Sequence, residues 1–366
     1  MDKDSRPPLT GRRLPRLRDR YLRGRRPLKR RADLDEDDIR VRAGKGSRPR
    51  TRRRPAHEAA PGAFVLTVDR GRYGCLLADG EVVTAMKARE LGRGSVVVGD
   101  RVALAGDTSG TAGSLARIVR VEERTSELRR SPDDTDPAER VVVANARQML
   151  IVCALADPEP KTRFIDRCLV AAYDAGLEPL LVLTKSDLAS PAKIRAFYDP
   201  LGLPMITTRQ PLPPATLSSL REALAGNGRE RRISVCIGQS GVGKSTLVNA
   251  LIPDAGRATG QVNAVTGKGR HTSSSAIALP LPGDAGWLID TPGIRGFGLG
   301  HISPQRVVAA FGDLAEGTAG CPPGCDHLSA GCALDEWAAR QGSQAVARLD
   351  SLRRLLRSRE AGEQAE

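Results

Sequence analysis

The residues best suited to chemistry lie in one run, Gly238-Gln239-Ser240-Gly241-Val242-Gly243-Lys244-Ser245-Thr246. It fits G-x-x-x-x-G-K-[ST], a loop that cradles nucleotide phosphates. Glycines let a backbone wrap an anion without side-chain obstruction. Successive N–H groups, and the N-terminus of a helix that follows, add positive potential. Lys244 is expected to reach the β- and γ-phosphates, and the Ser245 hydroxyl to hold Mg2+. The alternative is a chance glycine-rich turn. The flanks favour the loop: Arg232–Ile237 is apolar and β-branched, as a buried strand would be, and Thr246–Ile252 carries helical apolar spacing.

Base choice is expected from Thr184-Lys185-Ser186-Asp187, which follows the buried-strand pattern Glu178–Leu183. Strand carboxyl ends are where open α/β sheets bind ligands. A carboxylate at Asp187 can accept from both the ring N–H and the exocyclic amine of guanine. Adenine offers no such pair and would leave buried acceptors unpaired. The usual first residue here is Asn; Thr184 keeps a hydroxyl and loses the amide, which predicts somewhat weaker contacts with specificity retained. Trp287–Asp290 reads as a strand ending in D-x-x-G. Asp290 is expected to reach the metal through a water, and the Gly293 N–H to sense a γ-phosphate. The base signature precedes the phosphate loop, the reverse of the ordinary order, so the pattern is that of a circularly permuted GTPase.

Between the loop and Asp290 lies Gly267–Ser275, polar and without periodicity. It has the position of a first switch, with Thr272 the candidate second hydroxyl on Mg2+ and Ser273 the fallback. Many GTPases orient the attacking water with a Gln just after D-x-x-G. That position is Ile294, which can neither donate nor accept. His271 is the candidate replacement; an exposed loop histidine or an RNA contact is the bland alternative. A His271 that swings in only when a partner orders the loop predicts slow, partner-stimulated turnover.

The seven cysteines fall into two groups. Cys75, Cys153, Cys168 and Cys236 sit in apolar segments and read as buried thiols. Cys321, Cys325, His327 and Cys332 cluster within a short span. Three thiolates and an imidazole can close a tetrahedral Zn2+ shell with no open position, so the expected role is structural. Disulfides or loose thiols are the alternative, disfavoured in a cytoplasm.

Net charge is +14 over 366 residues, and residues 1–60 carry 21 Lys and Arg against 9 Asp and Glu. That segment is rich in proline and poor in large apolar residues, so it is expected to be a disordered basic tail. Contact with an RNA backbone, falling steeply with salt, competes with a merely solvated tail. No apolar run approaches a membrane span, and no secretory signal is evident. Residues 61–125 hold five short strand candidates separated by Gly, Asp and Ser, which predicts a small OB-type barrel. Its only candidates for stacking on bases are Phe64 and Tyr73. RNA shape and phosphate recognition are therefore favoured over sequence readout, with a purely structural barrel as the alternative. Leu334–Arg359 reads helical, with an apolar stripe and interspersed arginines that could add RNA contact.

Taken together, these residues resemble the circularly permuted ribosome-biogenesis GTPases of the RsgA/YjeQ family. Beyond the nucleotide motifs, the similar stretches are Val143–Val152, Phe164–Ala172, Gly267–Thr272 and Asp290–Phe297, and the resemblance covers roughly residues 60–360. Thr184 departs from the family pattern. So does the base-edge loop, where Thr207 and Thr208 are the best matches. The arginine-rich tail (1–60) is not a general feature of that family; beyond it, the resemblance implies a multi-domain protein: an all-β OB-type barrel (61–125), a circularly permuted α/β P-loop GTPase domain (126–300), and a small zinc-binding helical domain (301–366). It implies a cytoplasmic, monomeric GTPase that binds the small ribosomal subunit and its rRNA late in maturation, with one structural Zn2+ and with Mg2+ accompanying GTP. GTP is expected to favour the subunit-bound arrangement, and hydrolysis to GDP to favour release. Two competing readings are an RNA-binding factor for which GTP is only a ligand, and a signalling-type GTPase with a protein partner.

Overall fold

A computed structural model of the chain describes residues 59–92, 95–111, 113–130, 140–225, 231–255, 276–291, 297, 299 and 302–360. Residues 1–58 of the basic tail, His271, Thr272, Ser273, Gly293 and Ile294 lie outside them. Short β-branched runs broken by turn residues form strands β1 (Gly62–Asp69), β2 (Arg72–Leu77), β3 (Val82–Lys87), β4 (Arg101–Gly106) and β5 (Ala116–Val121). They pair in the order β1-β2-β3-β5-β4, and β4 returns to β1, closing a barrel. Alternate residues point inward, so Val65, Cys75, Val83, Val102, Leu104 and Ile118 make its core.

A two-stranded ribbon, β6 (Glu127–Arg130) with β7 (Arg140–Ala144), leads out of the barrel. A buried ion pair secures the junction. The Arg124 guanidinium donates to both oxygens of the fully buried Asp100, from Nε at 2.7 Å and Nη2 at 2.9 Å. Asn145 then bridges, donating to the Gly99 carbonyl at 2.9 Å and accepting from the Thr125 N–H at 2.8 Å.

The α/β domain follows. β8 (Gln148–Ala154), β9 (Glu178–Thr184), β10 (Met205–Thr207), β11 (Arg232–Gly238) and β13 (Gly286–Asp290) are parallel neighbours in the order β10-β9-β8-β11-β13. β12 (Ile277–Pro280) runs antiparallel beside β13. Helices α1 (Thr162–Asp174), α2 (Ala192–Tyr198), α3 (Pro214–Leu224) and α4 (Lys244–Leu251) cover the sheet. β8 and β11 are buried almost throughout, which is why they read as largely apolar runs. Each fully buried Val, Leu or Ile contributes about 1.5–3 kcal/mol.

Barrel and α/β sheet share an edge: β1 also pairs with β12 at Thr67–Ile277, so eleven strands form one connected sheet. Phe64 of β1 stacks on Trp287 of β13 with ring centroids 5.0 Å apart. Tyr73 is buried inside the barrel. Both aromatics that the sequence offered for base stacking are thus used within the fold.

The C-terminal part is helical: α5 (Pro304–Ala309), α6 (Gly312–Gly317), α7 (Ala333–Gln341) and α8 (Ser343–Glu360). The single helix expected over 334–359 is two, because Gly342 takes φ 103°, which few other residues adopt. Leu349, Leu352, Leu355 and Leu356 are the buried stripe of α8, whereas Val346 is exposed. Its arginines are largely engaged with protein. Arg348 pairs with Asp313 at 2.6 Å, Arg353 with Asp335 at 2.6 Å and Arg354 with Asp166 at 3.2 Å. No helix among the described residues is long and apolar enough to cross a membrane.

Candidate functional site

The carboxyl ends of β8, β9, β11 and β13 face one crevice, the position at which parallel sheets take ligands. From β11 the chain passes Gly238 and turns through Gln239–Gly243 into α4. Gly243 caps that helix at φ 89°, a left-handed conformation that spares a side chain strain only because it has none. Lys244, Ser245 and Thr246 form the first turn and are partly buried. The Lys244 ammonium donates to Asp290 Oδ1 at 2.5 Å and to the Thr291 carbonyl at 2.6 Å. An ammonium has three N–H donors, so capacity for an anionic oxygen remains. Asp290 is buried at the end of β13, and Thr291 is fixed behind it by a hydroxyl bond to the Cys236 carbonyl at 2.8 Å.

Thr184 closes the opposite side. Its buried hydroxyl donates to the Val242 carbonyl of the phosphate loop at 2.6 Å, and the Cys153 carbonyl lies at 3.4 Å. The residue that departs from the usual Asn therefore ties the 184–187 loop to the 239–243 loop. Lys185, at φ 59°, spans the crevice to the Asp157 carbonyl. Asp187 is exposed, and its Oδ1 accepts from the Gln210 N–H at 3.3 Å. Ser186 N–H donates to the Thr208 carbonyl at 3.1 Å. Of the two threonines weighed for the base edge, Thr208 is buried against this loop, while the Thr207 hydroxyl accepts from Arg195 at 2.9 Å. Gln210 is a neighbour of Asp187 that the sequence did not single out. Nothing in its local pattern could have identified it, because the contact depends on how β10 sits beside β9.

These motifs match known proteins. The RsgA GTPase family model matches residues 121–300. Small ribosomal subunit biogenesis GTPase RsgA of Pseudomonas aeruginosa is 38% identical over 272 residues, which is 72% of this chain and 76% of that protein. RsgA 1 of Vibrio vulnificus is 36% identical over 272 residues, 72% of this chain and 74% of that protein. The chain belongs to the RsgA GTPase family. Two solved structures share its fold. YjeQ from Thermotoga maritima has a TM-score of 0.58 and 24% identity, covering 82% of this chain and 99% of that one. YloQ, described as a circularly permuted GTPase, has a TM-score of 0.57 and 21% identity, covering 84% and 98%. The fold is thus the one expected: a closed five-stranded barrel, a permuted P-loop GTPase domain and a C-terminal Cys/His element.

In that element the donor atoms of Cys321, Cys325, His327 and Cys332 all lie within 4.8 Å of one another. Cys321 Sγ is 3.7 Å from Cys332 Sγ and 3.7 Å from His327 Nδ1, and Cys332 Sγ is 3.6 Å from that nitrogen. Tetrahedral bonds of 2.3 Å to sulfur and 2.0–2.1 Å to nitrogen require edges of about 3.5–3.8 Å, so Cys321, His327 and Cys332 are spaced for a metal of zinc's size, with Cys325 within 4.8 Å as the fourth donor. Burial pushes the His327 imidazole down, toward the neutral form a metal needs, and pushes the Cys332 thiol up to about 11. The loop is braced from outside. Asp326 accepts from the Leu328 and Ser329 N–H groups, at 2.9 and 3.0 Å, and Arg353 donates to the His327 carbonyl at 3.0 Å.

Proposed function

We propose that the protein binds the small ribosomal subunit through rRNA late in its maturation and hydrolyses GTP to leave it. What supports this most directly is the meeting of two segments at one end of the sheet, Thr184–Asp187 and the phosphate loop, in a chain 36–38% identical to small ribosomal subunit biogenesis GTPases. Backbone N–H groups of residues 239–243 and Lys244 hold the phosphates, and Asp187 with Lys185 selects guanine. Ser245 and Thr272 would hold Mg2+, with Asp290 behind; the ion supplies charge neutralisation at the β- and γ-oxygens. The Gly293 N–H reads the γ-phosphate, and His271 orients the attacking water. The roles given to His271, Thr272 and Gly293 rest on the sequence, since all three lie outside the described residues.

The barrel meets RNA through phosphate contacts, because Phe64 and Tyr73 are already packed. Arg70, Arg72, Arg101 and Arg117 are exposed on it. Because β12 and β13 carry the barrel on β1, the strands that flank the two switch segments also support an RNA-facing module. The Cys/His element holds one structural Zn2+, which cross-links a loop too short to fold on apolar burial alone. The protein acts as a cytoplasmic monomer.

The test is GTP turnover with and without purified small subunits, together with co-sedimentation at moderate salt. Stimulated turnover and co-sedimentation are expected. Binding without stimulation would instead identify an RNA-binding factor with GTP as ligand, and absence of both would identify a GTPase with another partner.

A further inference from the structure

Helix α1 is buried from Phe164 to Ala172, yet two consecutive members of that run are charged, Asp166 and Arg167, only 4% and 3% exposed. Taking a charge out of water costs several kcal/mol per ion, and leucine or methionine would fill such positions without that penalty. The reason for keeping the guanidinium lies in what it holds. Arg167 Nη2 donates to the Phe297 carbonyl, and Nη1 donates to the Ser358 carbonyl at 3.2 Å. Phe297 is the last residue of the stretch that begins at Asp290, and it is fully buried. Ser358 lies in the last turn of α8. One planar fork thus joins the exit of that stretch to the C-terminal helix, a geometry suited to arginine and not to lysine.

The entry of the stretch is held in the same way, by Lys244 donating to the Thr291 carbonyl at 2.6 Å. A cation therefore grips a backbone carbonyl at each end. Asp166 adds a second link to α8. Its Oδ2 accepts from Arg354 at 3.2 Å, its Oδ1 accepts from the Tyr198 hydroxyl at 3.0 Å, and Arg354 lies 3.9 Å above the Phe197 ring. Asp166 touches neither end of the Asp290–Phe297 stretch in these contacts, so the two neighbours on α1 divide the work: Asp166 seats α8, and Arg167 joins α8 to the stretch.

We propose that Arg167 is a positioning residue for GTP turnover, fixing the exit of the Asp290–Phe297 stretch and coupling it to the seat of α8. It rests on the reading in which this stretch senses the γ-phosphate. Two consequences follow. Loss of Arg167 weakens the GTP-bound form specifically, because GDP lacks the phosphate in question. It also disconnects α8 from the nucleotide.

The test uses the full chain with Arg167→Met, Arg167→Lys and Asp166→Asn. It measures affinity for GDP and for a non-hydrolysable GTP analogue, turnover, and amide exchange in α8 with each nucleotide bound. For Arg167→Met, GDP affinity stays within about twofold, analogue affinity falls about fivefold or more, the lower range of coupling between sites, and kcat falls. The difference in α8 exchange between the two nucleotides disappears. Arg167→Lys, which keeps the charge and loses the planar fork, gives an intermediate ratio, and it carries the test if the methionine variant does not fold. Asp166→Asn raises α8 exchange with both nucleotides and leaves the ratio alone. Equal losses of GDP and analogue affinity in the Arg167 variants would show a structural brace, and an unchanged ratio would show no role; either overturns the proposal. A wild-type chain that binds neither nucleotide would instead defeat the GTPase reading.

Discussion

Replacing Thr184 with valine isolates one hydroxyl at the centre of the site. The two side chains have nearly the same shape, so no cavity forms and the perturbation is confined to the hydroxyl's contacts, chiefly the 2.6 Å bond onto the Val242 carbonyl and also the 3.4 Å approach to the Cys153 carbonyl. Losing a buried hydrogen bond and orphaning its acceptor costs about 1–3 kcal/mol. In a chain with this much folded sequence each kcal/mol lowers Tm by about 2–4 °C, so a drop of several degrees is expected. The part of that cost reaching the ligand is bounded by the same figure, and 1.4 kcal/mol is about tenfold in Kd. On the proposed function, Val242 belongs to the loop whose N–H groups hold phosphates common to GTP and GDP. Both nucleotides should therefore weaken together, by roughly three- to tenfold. Preference over adenine nucleotides should persist, since Asp187 is untouched. Thr184→Ser should restore both Tm and affinity, and Thr184→Asn should bind at least as well as wild type, its amide N–H replacing the hydroxyl. Calorimetric titration with GTP, GDP and ATP, beside thermal melts, reads all of this. A valine variant that melts and binds like wild type, or that loses GTP and keeps GDP, would refute the strut.

Asp187→Asn should cut GTP affinity by about tenfold or more, the value of a hydrogen bond to a charged group, and narrow the GTP-over-ATP preference in competition binding. Cys332→Ser should lose bound metal by elemental analysis and melt well below wild type, as should the wild-type chain after prolonged chelation; a chelated protein with an unchanged melt would argue against a structural ion. His271→Ala should lower subunit-stimulated turnover by about a hundredfold with little change in GTP affinity, the range for a positioned proton acceptor or donor. Loss of affinity in place of rate would move that histidine out of the hydrolytic step.

The chain's chemistry was legible because it is local. Gly238–Thr246 needs its residues in consecutive order to wrap a phosphate, and Cys321–Cys332 needs its donors within one short loop, so both survive in a linear reading. Buried strands such as β8 and β11 announce themselves by largely apolar runs, and the reversed order of the base and phosphate motifs is itself a sequence fact. Contacts between distant segments were not legible. The Thr184 hydroxyl reads as a weakened substitute for an amide until the fold brings it against Val242. Phe64 reads as a free aromatic until β1 joins β12 and turns it onto Trp287. Arg354 reads as part of a basic face until α8 packs on α1 and gives it Asp166 and the Phe197 ring. Residue type and spacing determine what a side chain can do, whereas its partner depends on which segments meet, and that is settled by how strands and helices bury their apolar faces across the whole chain.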